Sequence, residues 1–464
     1  MKLPDCGIDY VLSLVETITP MGRKRLRELD IITDPATIER EFDRQEDVAY
    51  RLPISCERLG ASLSKIRDIW GTNERLQSGA SLEDVELFEI KSFSIWSEKL
   101  RALLGECPEW MRLPDLSDVV EMLDPEGTGL EGFYICDSYD GELASVRERV
   151  YRFQREKTAG TKEIEELLAE GREIESRIKT ELSANLRPFA LRISGTLSKI
   201  GELDFTLAKV ILNDRLSLVR PYISESDFEF FGLFNPEVAS SLQRSGKDFK
   251  PYAVRLDRRV LVIGGNMTGK SVFLRSVVLA QTMFQMGFFV PADTATMTVY
   301  ESLVYYSGDK QSFESGLSSF AGEMEFLQEA IESLRSGEKG LFVFDEIGRS
   351  TNPVEGPAFL IAAMEYLASS GRCRVILSSH YEEALTVEGA QLLMVRGLDR
   401  ERLSSERNRD ISYYIDHSLV EIDKSVQFPR EGVEIARLLG IDGEFIDLVE
   451  RRLLGGKDGK QTKP

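Results

Sequence analysis

Charged and apolar residues recur at helical spacing through Gly22–Asp30, Ala36–Leu52 and Leu63–Leu76, which predicts mostly helix over residues 1 to about 130. Asp34-Pro35 and Asp115–Asp118 read as breaks or caps, and Pro125–Gly132 (PEGTGLEG) as a loop. Residues 142–190 form a charge-dense helical stretch with one break near Ala159-Gly160. Ile164, Leu167, Leu168, Ile174, Ile178 and Leu182 make its apolar stripe. Near Pro221 the pattern changes. Residues 222–260 are mixed and rich in Phe, and from Arg259 to Gln391 short β-rich runs alternate with helical ones. That alternation predicts a parallel or mixed sheet covered by helices. Residues 432–453 make a final helical pair, and Gly455–Pro464 is a polar tail expected to lack structure.

Composition narrows the classes. The 464 residues suggest two to four domains. No apolar run approaches membrane-spanning length, and the start carries no apolar signal region, so the expected location is the cytoplasm. Five scattered cysteines and two histidines argue against a disulfide frame or a His-built metal site. The net charge of −20 weighs against a DNA clamp without excluding a local basic patch.

The clearest chemistry follows the strand-like run Val260–Ile263. There Gly264, Gly265, Asn266, Met267, Thr268, Gly269, Lys270 and Ser271 fit G-x-x-x-x-G-K-[ST] between a strand and a helix. Glycines let successive N–H groups face phosphate oxygens, and a helix N-terminus favours anions. Lys270 is expected on the β/γ-phosphates of ATP and the Ser271 hydroxyl on Mg²⁺. A second strand-like run, Gly340–Phe344, ends in Asp345 and Glu346. Adjacent strand residues face opposite ways. This assigns Asp345 to Mg²⁺ and Glu346 to the attacking water, as base or orienter. His380, after the run Val375–Leu377, is expected at the same edge as a γ-phosphate contact or sensor.

In this order the elements resemble the ABC-type ATPase of the MutS family. GGNMTGKS is similar to that family's GPNMGGKS loop, with Gly265 for Pro and Thr268 for Gly. Phe289–Ala292 looks like the segment after the loop's helix, and Ser379-His380-Tyr381 like the T-H-Y switch. Gly348–Gly356 (GRSTNPVEG) looks closer to the nuclease-bearing branch than to the mismatch-repair branch. Ser315–Met324 (SGLSSFAGEM) resembles the signature segment, with Leu317 where Arg is usual. The resemblance implies that Ser318, with Ser319, meets the γ-phosphate on another subunit.

The resemblance extends to Thr17–Leu29, Ile38–Leu52, Leu63–Leu76 and Lys199–Ile223 of a helical core, and to Gly432–Leu454 as a dimerisation element. The expected fold is an α/β ABC-type P-loop ATPase domain following an all-α MutS core and lever domain. Its expected parts are a core (1–140), levers and return (141–220), ATPase (221–430), dimerisation element (431–454) and tail (455–464). Counterparts of the mismatch-reading, clamp and nuclease domains are not expected.

The resemblance implies slow ATP hydrolysis at the interface of a homodimer or paralogous heterodimer. Two clients stay open. One is a protein complex that is remodelled or reactivated, for which the reactivating ATPases of cobalamin-dependent aminomutases are a precedent. The other is unusual or mismatched DNA, met by the basic stripe Arg147, Arg149, Arg152, Arg155 and Lys157. The missing clamp and the negative charge favour the protein client.

Overall fold

The computed structural model describes residues 4–51, 56–156, 161–265, 268–308, 319–399, 402, 411–425 and 432–455. The tail past residue 455 lies outside them. The chain divides into two compact units, Val15–Leu29 with Asp43–Ile211, and Met1–Leu14, Asp30–Phe42 with Leu212–Pro464.

The first unit is helical in all its described regular elements. Its longest uninterrupted pieces include Asp84–Leu104 and Thr161–Leu186. On Thr161–Leu186 the buried face is Leu167, Gly171, Ile174, Ile178 and Leu182, a spacing of three and four residues. The expected stripe differs in that Ile164 is only partly buried and Leu168 is 45% exposed. Its neighbour Leu167 holds the buried position, and one residue along a helix is a turn of about 100°.

A buried carboxylate organises the start of this unit. Asp204 is 1% exposed. It accepts the Thr19 hydroxyl and N–H, both at 2.7 Å, and the Ile18 N–H at 3.0 Å. The Thr19 hydroxyl in turn accepts the Gly22 N–H and caps the helix Pro20–Arg27.

The second unit holds two sheets. β1 (Tyr222–Ser224), β2 (Glu229–Leu233), β3 (Tyr252–Arg255) and β5 (Thr294–Thr298) form one in the order β1-β5-β2-β3. The other contains β4 (Arg259–Ile263), β6 (Ser302–Tyr306), β7 (Gly340–Phe344), β8 (Arg374–Ser379), β9 (Gln391–Leu398) and β10 (Ile415–Ile422). Its order is β10-β9-β4-β8-β7-β6, with every pair parallel except β10 with β9. All residues of β7 and β8 are buried, as in parallel sheets covered on both faces. The unit is α/β, with a mixed sheet as the alternation predicts. The helix Lys270–Gln285 follows β4 and is buried along most of its length. Among the described residues no helix is long and apolar enough to cross a membrane.

Replacing Asp204 with Ala removes the acceptor of three donors. This should cost about 2–4 kcal/mol and lower the urea midpoint of the helical unit. An unmoved midpoint would mean that Ile18 and Thr19 find acceptors elsewhere.

Candidate functional site

Register assembles the site. Ile263 of β4 pairs with Ser379 of β8, and Phe344 of β7 pairs with Leu377 of β8. The three strands are parallel, so the residues that follow them leave the sheet along one edge. Gly264 onward, Asp345 onward and His380 onward thus meet, as the sequence predicts for a strand-end site.

The loop after β4 is tightly wound. Gly269 has φ 113°, and a Cβ there would lie 3.1 Å from His417 Nδ1, so a side chain would be strained and crowded. The His417 Nδ1 lies 2.6 Å from the Thr268 carbonyl. A carbonyl only accepts, so the ring nitrogen is the donor. The Thr268 hydroxyl donates to the Gly265 carbonyl at 2.9 Å. Lys270 opens the helix and is 5% exposed. Its Nζ donates to the Gly264 and Gly265 carbonyls at 2.9 and 3.0 Å and lies 3.2 Å from Glu346 Oε1.

Strand alternation does not govern Asp345 and Glu346, which lie past the strand. β7 ends at Phe344, and Glu346 adopts a left-handed backbone, φ 58°. Such a conformation is uncommon outside glycine and is found at functional sites. Ser378, fully buried at the end of β8, secures it. The Ser378 hydroxyl accepts the Glu346 N–H at 2.9 Å and donates to Asp345 Oδ1 at 2.5 Å. The Ser271 hydroxyl also draws the Asp345 carboxyl down. Burial pushes the Asp345 carboxyl above its ordinary value, against these bonds.

Glu346 faces three positive or basic groups. His380 Nδ1 is 3.7 Å from its Oε1, Lys270 Nζ is 3.2 Å away, and Arg349 Nη1 is 3.3 Å from its Oε2. Interaction with the His380 imidazole, then with Lys270, outweighs burial and holds the Glu346 carboxyl down at about 2. It is therefore ionised at neutral pH.

The structure brings Gly264, Gly265, Thr268, Gly269, Lys270, Ser271, Asp345, Glu346 and His380 together. Asn266, Met267 and Ser318 lie outside the described residues. Ser319 is described only as the first residue of the helix Ser319–Ser336. The sequence reading gave no role to Ser378, Arg349 or His417. Ser378 had a signal: it is a polar residue closing the apolar run Val375–Leu377 just before His380.

A buried ammonium at a helix N-terminus, with glycines either side of the loop, suits a polyphosphate. The Ser271 hydroxyl and Asp345 carboxylate are the oxygen donors that Mg²⁺ prefers. No cluster of three or more His, Cys, Asp or Glu side chains able to hold a metal occurs among the described residues. Mg²⁺ needs none, because it takes one or two protein oxygens and completes its shell with phosphates and water.

Residues 260–453 match the family model of MutS domain V. The DNA mismatch repair protein MutS of Lactococcus lactis subsp. lactis is 25% identical over 424 residues, covering 86% of this chain and 49% of that protein. Endonuclease MutS2 of Leuconostoc citreum is 26% identical over 449 residues, covering 79% of this chain and 54% of that protein. The MutS of Leptospira interrogans serovar Lai is 32% identical over 231 residues, 48% of this chain and 27% of that protein. The chain spans about half the length of the first two of these relatives.

The Glu346 carboxyl pKa is depressed, so its ionised contacts contribute fully above the ordinary carboxylate range. They are lost only as pH falls through about 2. The Glu346 side-chain carbon signal should therefore stay flat in NMR from about pH 8 to about pH 4. In a His380→Ala variant its midpoint should move upward. A midpoint that does not respond would remove His380 as the main lowering influence.

Proposed function

We propose that this chain, which belongs to the MutS family, binds ATP·Mg²⁺ on the loop Gly264–Ser271 and hydrolyses the γ-phosphate. The observation that carries this reading is the buried Lys270 ammonium set between its own loop carbonyls and Glu346. Such an ammonium is matched in charge to a phosphate and sits where a helix N-terminus adds to its field. Ser271 and Asp345 would hold Mg²⁺, which supplies charge neutralisation between the β- and γ-phosphates.

Glu346 would place the attacking water. A carboxylate held at about 2 is a weak base and acts first as an orienter. Drawing Lys270 onto phosphate would remove one of the charges that hold it low, which raises its basicity when substrate is in place. His380, beside Glu346, would register the γ-phosphate.

We further propose that two copies, or this chain and a paralogue, close over the nucleotide with Ser318 acting across the interface, and open after hydrolysis. The client we favour is a protein complex. The chain carries a net charge of −20. Arg147 of the basic stripe is bound to Asp137 at 2.7 Å and Glu175 at 2.8 Å, and Arg177 nearby is bound to Asp140 and Glu142. Arg147 so paired has less to offer DNA phosphates, while Arg149, Arg152 and Arg155 of the stripe are exposed. The names of the relatives favour the other reading, a DNA client.

Glu346→Gln should keep ATP affinity and lower turnover by at least about 100-fold, with a longer-lived nucleotide-bound dimer on size-exclusion chromatography. Unchanged hydrolysis would remove Glu346 from the mechanism. The same variant, held with ATP, should retain a protein client and show no salt-dependent binding to mismatched or branched duplex. Duplex binding that weakens steeply with salt would reverse the choice of client.

A further inference from the structure

Glu346 holds an unfavourable backbone conformation, and the Ser378 hydroxyl fixes only its N–H. Two residues on, Gly348 is gripped from both sides. The Gly348 N–H donates to the carboxylate of Glu323, on the helix Ser319–Ser336. The Gly348 carbonyl accepts the Tyr381 hydroxyl at 2.9 Å. Gly348 has φ 81°, and a Cβ on it would lie 2.5 Å from the Gly356 carbonyl oxygen. No other residue fits there without moving backbone.

Glu323 is 1% exposed, and burial pushes its carboxyl above the ordinary range. A buried carboxylate is costly, and here its hydrogen bond is spent on one peptide of the turn that carries Glu346. Tyr381 is equally committed. Its ring lies against His380, centroids 4.3 Å apart, so its hydroxyl and the neighbouring imidazole reach the two ends of the same turn. Burial, then the Glu323 and Glu346 charges, push the Tyr381 hydroxyl up, which keeps it a donor.

We infer that Glu323 and Tyr381 are positioning residues: by clamping both peptide groups of Gly348 they hold Glu346 in its left-handed turn, facing Lys270 and His380. The inference rests on the reading of Glu346 as the hydrolytic carboxylate. It adds a link between the helix Ser319–Ser336 and that carboxylate. Each group's polar contact with Gly348 is to backbone, so each is argued to act through the turn rather than on substrate.

Steady-state ATPase rates, ATP affinity and the backbone amide NMR signal of Glu346 test this on the full chain. Glu323→Ala and Tyr381→Phe should each lower kcat about 10-fold or more, with ATP affinity within about twofold of the parent. Tyr381→Phe keeps the ring on His380 and removes only the hydroxyl. Glu323→Gln retains an oxygen that accepts the Gly348 N–H, and should recover most of the rate. In Glu323→Ala the backbone amide signal of Glu346 should move from its parent position as the left-handed turn relaxes. That signal needs no nucleotide, so it judges the clamp even if Glu346→Gln still hydrolyses ATP and the functional reading fails. The inference is overturned by parent-like kcat with an unmoved Glu346 amide signal in Glu323→Ala. It is equally overturned if kcat and ATP affinity fall together. If Glu323→Ala does not fold, a parent-like rate and Glu346 amide signal in Tyr381→Phe overturn it.

Discussion

A buried ammonium must be met by enough oxygen to replace the water it loses, and the edge of the large sheet is arranged around that need. Lys270 opens a helix whose N-terminus is itself a positive pole, so its own position makes the charge harder to hold. Two loop carbonyls and the Glu346 carboxylate supply the compensation. The loop can turn its carbonyls inward only because it begins and ends in glycines with positive φ. Glu346 can reach Lys270 only because β7 lies one strand beyond β8, which neighbours β4, all running the same way. Register, glycine placement and the acid thus serve one electrostatic requirement.

That requirement carries a backbone cost at Glu346, which is offset by fixed polar contacts. Ser378 takes its N–H, and Asp345 takes the Ser378 proton. The two acids are therefore joined through one hydroxyl while their pKa values are driven apart. Burial raises Asp345, and His380 with Lys270 lowers Glu346. Paired acids separated in this way are the usual basis for giving them different tasks. In the proposed mechanism one would hold a cation and the other would place water.

Much of this edge was legible because its signals are local. The runs Val260–Ile263, Leu341–Phe344 and Val375–Leu377 are uninterrupted apolar stretches, and each is followed at once by the residue that matters. The glycine-rich loop is likewise a contiguous word. What could not be read is long-range or conformational. Ser378 meets Glu346 across 32 positions, and Glu323 meets Gly348 across 25; nothing in local spacing pairs them. The left-handed turn at Glu346 was invisible because a glutamate there gives no hint of positive φ. Alternation along a strand does not apply to the two acids, because β7 ends before them and Glu346 is left-handed. In the helical unit the stripe on Thr161–Leu186 was legible apart from Leu168 and the partly buried Ile164. There Leu167 and Leu168 compete for one face, and only packing decides between them.

Buried charge in the helical unit offers a control for the functional argument. Lys91 is nearly inaccessible. It is closed by Asp124 at 3.1 Å and by the Gly132 carbonyl at 3.0 Å, while Asp124 also takes the Gly129 N–H and the Thr128 hydroxyl. Burial pushes Asp124 up, but these contacts prevail and leave it at about 2. Its pKa is as low as that of Glu346, yet every group around it is matched. At the sheet edge His380 Nδ1 is buried and, at 3.7 Å from Glu346, has no hydrogen-bond partner. A depressed pKa is therefore common to a structural pair and to the candidate site. Unmatched buried polar atoms are common to both as well, since Ser94 Oγ and Ser97 Oγ lie on the helix that carries Lys91. What sets the sheet edge apart is the left-handed turn that directs Glu346 toward Lys270, Arg349 and His380.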